Sequence, residues 1–244
     1  METFRRLFAA AALAGLLAGV FITIIHQVTT VPVILSAEVY EKAAESKAPA
    51  VASMKGMDGM AAEAGGHEHG AAAWEPADGL ERAAFTVLAD VLTGMGFALM
   101  LVAIYAVWGG RIDWRKGLYF GLAAFAAVTL APALGLPPEV PGTESAPLLD
   151  RQLWWVATVL LTGGGLALLF LSRRPVLMLA GVALIVLPHA YGAPQPADYA
   201  SAAPEALAHR FVVAVIVTSL LFWAVLGSLT GFFYGRFMGR APAV

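Results

Sequence analysis

Apolar residues gather in six long blocks, separated by short stretches that hold nearly all the charge. A membrane-spanning helix needs about 20 mostly apolar residues and must pair its own backbone groups. The blocks run from about Leu7 to Val28, Ala83 to Trp108, Gly117 to Leu136, Gln152 to Leu171, Pro175 to Tyr191 and Phe211 to Tyr234. The pattern predicts an all-α, polytopic membrane bundle of six transmembrane helices. Residues 1–244 form a single transmembrane domain, with an extracytoplasmic loop over 29–82 between the first two helices. The fifth block is short and ends at Pro188, so five spans with a re-entrant fifth segment is the alternative.

Composition agrees. The chain is 59% hydrophobic and 13% charged, against about 25% charged in an average soluble domain. So little charge cannot clothe a water-facing surface, which excludes a soluble enzyme, and so apolar a chain is not disordered. A net charge of -2 provides no basic footprint for nucleic acid. The sequence has no cysteine, hence no disulfide, thiolate metal site or iron–sulfur cluster.

Lys and Arg favour the cytoplasmic side of short loops. With the N-terminus inside, nine of fifteen lie there: Arg5, Arg6, Arg111, Arg115, Lys116, Arg173, Arg174, Arg236 and Arg240. Of seventeen acids, fourteen face out. Both termini are expected in the cytoplasm. The first block exceeds the usual 7–15 apolar residues of a signal peptide and lacks a directly following A-x-A site, which predicts an uncleaved helix.

Two hairpins resemble one another and predict a parallel repeat. Glu81-Arg82 and Asp150-Arg151 each precede, eleven residues after the arginine, a Thr-Gly-x-Gly run: Thr93, Gly94, Gly96 and Thr162, Gly163, Gly165. The partner helices end in Pro132, Gly135, Pro137 and Pro188, Gly192, Pro194. Small residues let helices approach closely in lipid, so the glycine patches are expected at crossings.

Candidate chemistry lies in three places. The Ala/Gly-rich stretch 45–73 holds Met54, Met57 and Met60 and then His67-Glu68-His69. Between Glu38 and Arg82, nine acids oppose four bases, so the segment would concentrate cations. Asp90 stands eight residues beyond Arg82, about 12 Å into the membrane. A carboxylate at that depth is expected to face the bundle interior as cation ligand or proton acceptor. His26, His189 and His209 fall near the outer boundary, where three imidazoles at similar depth would converge with Asp90 on a divalent cation. Pro188 disrupts its own helix turn and would free nearby carbonyls as ligands. Trp154 and Trp155 are expected in an interfacial aromatic belt.

The sequence also resembles the CbtA family of bacterial cobalt transporter subunits over most of its length. The likeness rests on METFRRLFAAAALAGLLAG at the start, EVYE at Glu38–Glu41, WEPADGLER at Trp74–Arg82 and LADVLTGMGFAL at Leu88–Leu99. It continues with LAPALGLPPEVPG at Leu130–Gly142, RQLWWVATVL at Arg151–Leu160 and LPHAYGAPQP at Leu187–Pro196. The resemblance implies a multi-pass protein of the cytoplasmic (inner) membrane acting in cobalt uptake. It also implies a small single-span companion, CbtB, with a histidine-bearing tail. The family is described with five spans and often carries a denser His/Glu run in the first outer loop, reduced here to His67 and His69.

The leading expectation is therefore transport of a divalent cation, Co2+ first, past His26, Asp90, His189 and His209, with His67 and His69 on the approach. Imidazole and carboxylate suit Ni2+ as well, and the methionine series suits Cu+. No enzyme motif appears: there is no G-x-x-x-x-G-K-[ST], G-x-S-x-G or H-E-x-x-H. No tightly bound cofactor is expected. Bis-histidine haem would require His26 to face His189 or His209 across helices. A non-transporting partner subunit remains a separate class, and a homo-oligomer stays open.

Overall fold

Hydrocarbon offers no partner for backbone amides, so each apolar block closes its own hydrogen bonds as helix. The computed structural model describes residues 1–47, 76–77, 79–197 and 199–239. Met54, Met57, Met60, His67 and His69 lie outside the described residues. Within them the chain is helical without strands: α1 (Glu2–Val28), α2 (Thr30–Lys47), α3 (Leu80–Trp108), α4 (Trp114–Ala124), a π-helical turn (Phe125–Leu130), α5 (Ala131–Gly135), α6 (Leu148–Leu171), α7 (Pro175–Tyr191) and α8 (Glu205–Met238). The chain is an all-α polytopic membrane bundle.

Five helices are long and apolar enough to cross a membrane: α1, α3, the rod Trp114–Gly135, α6 and α8. α7, at 17 residues, is shorter, about 26 Å of helix at 1.5 Å per residue. It nevertheless returns the chain to the end from which α6 departs. Thr143, just before α6, bridges Ser201, just before α8, and Ala37 of α2 packs with Val140 and Ala203 there.

Local chemistry sets the helix ends. Gly109 closes α3 in the left-handed region at φ 70°, donating its N–H to Tyr105 O. Asp113 caps α4 by accepting from Lys116 N at 2.9 Å. Pro175 opens α7, where no intrahelical donor is needed. The rod from Trp114 widens into its π turn just before Pro132, whose nitrogen has no hydrogen for Val128 O; Ala131 N–H reaches back to Ala126 O instead.

Three antiparallel crossings hold the bundle, each made by glycine. In lipid, apolar side chains gain little from meeting one another, so close backbone contact carries the packing. On α1 and α3, a Cβ added at Gly94 would stand 2.6 Å from Gly15 O, and one at Gly19 would stand 2.5 Å from Val91 Cα. On α4 and α8, Gly117 and Gly121 face Gly227 and Gly231, where a Cβ at Gly227 would stand 2.7 Å from Gly121 Cα. On α6 and α7, Gly165 meets Gly181 O at a would-be 2.6 Å. α1 also packs along α8, and its Ala10, Ala11, Ala14 and Ala18 are fully buried.

The predicted hairpin repeat is therefore not repeated in the packing. Gly94 and Gly165 are contact points, but their counterparts Gly163 and Gly96 have nothing within 4 Å of an added Cβ. α3 crosses a helix that precedes it in the chain, whereas α6 crosses the one that follows. The two Thr-Gly-x-Gly runs share composition and not geometry.

Charge separates the two ends. One end holds Arg5, Arg6, Arg111, Arg115, Lys116, Arg173, Arg174 and Arg236, with Glu2 and Asp113 as the acids among its described residues. The other end is capped by α2, which continues α1 after a break at Thr29. Glu38 of α2 pairs with Arg82 of α3 through two contacts, Oε1 to Nη1 at 2.9 Å and Oε2 to Nη2 at 3.4 Å. Glu139 pairs with Arg151 at 3.3 Å.

Candidate functional site

The α1–α3 crossing dictates which polar side chains meet. Gly15, Gly19, Thr23 and His26 follow at intervals of four, four and three, which places them on one face of α1. Contact of Gly19 with the backbone of Asp90 and Val91 then sets Thr23 and His26 against the carboxylate one turn further along. Asp90 Oδ2 lies 2.8 Å from Thr23 Oγ1, which donates to it, and 3.1 Å from His26 Nδ1. The side chains of Asp90 and His26 are 18% and 25% exposed, so the carboxylate is turned inward, away from the acyl chains.

The pair opens on a cleft of about 180 Å3 among α1, α3, the π turn and α8. Its other polar walls are Thr93, Thr129 and Ser219; its apolar floor includes Phe97, Phe222 and Trp223. The volume exceeds the ~30 Å3 that a water occupies in the liquid several times over, so a partly hydrated ion fits. Trp223 is 2% exposed, donates from Nε1 to Thr129 Oγ1 at 3.2 Å, and meets Phe97 in a tilted ring contact with centroids 4.7 Å apart. The π turn aims Thr129 into this wall, and such turns recur at functional sites.

The remaining expected ligands do not join this cleft. His189, in the last turn of α7, packs edge-on to Trp154 at 5.9 Å between centroids, and its buried Nε2 has no hydrogen-bond partner. His209 is exposed in the second turn of α8, while Leu207, Ala208 and Phe211 carry that helix's packing under α2. Among the described residues, no three of His, Asp and Glu are grouped to hold a metal ion. The four-residue convergence is thus corrected to a pair. Similar depth does not bring residues together when their helices belong to different crossings.

One further expectation changes. Trp154 is buried, not interfacial: its Nε1 donates to Pro188 O at 3.3 Å, and its ring fills the space that a Cβ on Gly135 would take. Pro188 O also accepts from Gly192 N at 3.1 Å, so that carbonyl is engaged at the end of α7 and against α6. Trp155 beside it is 39% exposed.

Sequence reasoning missed Thr23, Thr129 and Ser219. The spacing Gly15-x3-Gly19-x3-Thr23 marked the first, as a close-contact stripe leading to His26. Nothing comparable marked the others, since the π turn shifts the register that would have placed Thr129.

Comparison with curated proteins and with solved structures returns no match. The sequence profile of a family described as CbtA, probable cobalt transporter subunit, matches residues 4–235, nearly the whole chain. A multi-pass bundle with an inward-turned carboxylate and imidazole is consistent with that description, and the chain belongs to the CbtA family.

Proposed function

We propose that this chain carries Co2+ across the bacterial cytoplasmic membrane, as one subunit of a two-part transporter, by way of the cleft between α1, α3 and α8. The observation that carries the reading is the His26–Asp90 pair on the wall of a hydroxyl-lined cleft inside an apolar bundle. An ionisable residue in such surroundings is costly and marks an ion path by default. The donors on offer are imidazole nitrogen and carboxylate and hydroxyl oxygen, a set that suits Co2+ and Ni2+ better than thioether-seeking Cu+.

The basic end is assigned to the cytoplasm, with both termini, and the α2 end to the outside. A cation drawn by the acidic segment between α2 and α3 then arrives at the end where His26 lies. So small a donor set leaves further coordination positions for water, hydroxyls or the companion subunit, which the resemblance implies to be a single-span CbtB-like protein.

Competitive uptake of Co2+, Ni2+, Zn2+ and Cu+ into proteoliposomes tests the proposal, first with this chain alone and then with the companion. Co2+ uptake that exceeds the others and is lost in His26→Ala is the expected result. Equal uptake by His26→Ala at equal protein density would remove the cleft from the route, and no uptake with the companion present would reduce the chain to a non-transporting partner.

A further inference from the structure

We infer that Asp90 serves the cation through His26: His26 Nε2 is the atom that receives it, and Thr23 is the positioning residue that fixes the pair. This rests on the reading of the cleft as the cation's passage. It assigns separate roles to residues that would otherwise all count as ligands.

The argument begins at Asp90 Oδ2. That single oxygen takes both short contacts, from Thr23 Oγ1 at 2.8 Å and with His26 Nδ1 at 3.1 Å. Beside an ionised carboxylate Nδ1 must carry the ring hydrogen, because two lone pairs at that distance repel. A neutral imidazole protonated at Nδ1 has its lone pair on Nε2. Among the described residues no hydrogen bond engages Nε2, and it is not among the buried atoms left without a partner. A carboxylate behind an imidazole fixes the tautomer and ring orientation, the arrangement that supports metal-ligating histidines.

Thr23 holds the carboxylate in place. Its hydroxyl has one hydrogen and two acceptors, Gly19 O at 2.9 Å and Asp90 Oδ2 at 2.8 Å. Thr23 is 5% exposed. The carbonyl one turn back confines the hydroxyl to the α3 side of the helix. Gly19 is itself pressed on the backbone of Asp90 and Val91, so the distance between the helices is set by main chain and not by a flexible contact. The relay Gly19–Thr23–Asp90–His26 therefore sits on two rigid helices, which hold a site more closely than loops do.

The test uses the full chain purified in detergent and titrated with Co2+, followed by calorimetry and by the visible ligand-field bands of the bound ion. Metal-free variants are accepted when they unfold as cooperatively as wild type. Thr23→Val is expected to weaken Co2+ binding by about 10–100-fold, the usual cost of losing a supporting partner. Thr23→Ser, which keeps the hydroxyl, is expected to restore it. Asp90→Asn is expected to weaken binding over the same range while retaining the ligand-field bands, since its carbonyl still accepts from Nδ1–H. His26→Ala is expected to abolish binding. Wild-type affinity in Thr23→Val, or bands lost in Asp90→Asn as completely as in His26→Ala, would overturn the inference and make Asp90 a direct ligand, with the passage intact. Should Thr23→Val fail to fold, Asp90→Asn decides alone. Wild type and His26→Ala binding Co2+ alike would overturn the passage itself.

Discussion

His26 Nδ1 stands 3.1 Å from Asp90 Oδ2, although 64 residues separate them along the chain. Neither residue is near the other by sequence; the α1–α3 crossing brings them together. Because Gly19 has no side chain, the backbones close enough for an imidazole, a hydroxyl and a carboxylate to meet within hydrogen-bonding reach. The chemistry of the cleft is thus a consequence of how the two helices pack.

Cells expressing His26→Ala or Asp90→Ala at wild-type protein levels should accumulate at least about 10-fold less Co2+, because each change removes a donor or its support. His209→Ala, exposed on α8, should leave accumulation unchanged. Radiometric uptake over the linear phase separates these outcomes, and equal uptake by all three variants would contradict the assignment.

Two glycines two residues apart in α3 should respond oppositely to one methyl group. Gly94→Ala forces a Cβ to within 2.6 Å of Gly15 O and should cost about 1–3 kcal/mol as overpacking. Gly96→Ala meets nothing within 4 Å and should be neutral, or stabilising by up to about 1 kcal/mol from helix propensity. Thermal unfolding in a common detergent measures both.

Adjacent tryptophans should also differ. Trp154→Phe removes the donor to Pro188 O from a buried position and should cost about 1 kcal/mol. Trp155→Phe, at an exposed position, should stay within about 0.5 kcal/mol of wild type. Denaturation in parallel, with the Tm of each variant, distinguishes a buried anchor from an exposed ring.

Glu38→Gln should loosen α2 without unfolding the bundle. The paired contacts to Arg82 join α2 to α3, whereas the glycine crossings that hold α1, α3 and α8 do not involve them. Amide exchange should rise across 30–47 and stay at wild-type levels across 83–108. Unchanged exchange in α2 would show that its packing on Ala203 and Val140 suffices.

Much of the fold was legible because the bilayer imposes one rule on every segment that enters it. Leu7–Val28, Ala83–Trp108 and Gln152–Leu171 read as helices from length and apolarity alone, and α1, α3 and α6 contain them. Asp90 stood out for the same reason: one carboxylate in a long apolar run has few explanations. The histidines were less legible, since His26, His189 and His209 share a depth but not a neighbour. Trp154 was misread because an indole near a membrane boundary can serve either a belt or a buried hydrogen bond, and the choice depends on Pro188, 34 residues away.

By itself the sequence determined the class, the charge contrast between ends and the glycines available for close approach, all properties local to a segment and its solvent. Only the tertiary structure decided which glycines touch and that one imidazole, not three, reaches the carboxylate. It also decided that a π turn before Pro132 carries a hydroxyl into the same wall. Those outcomes depend on the rotation and register of whole helices against one another, and in lipid these are set by backbone contact, which no stretch of apolar residues encodes alone.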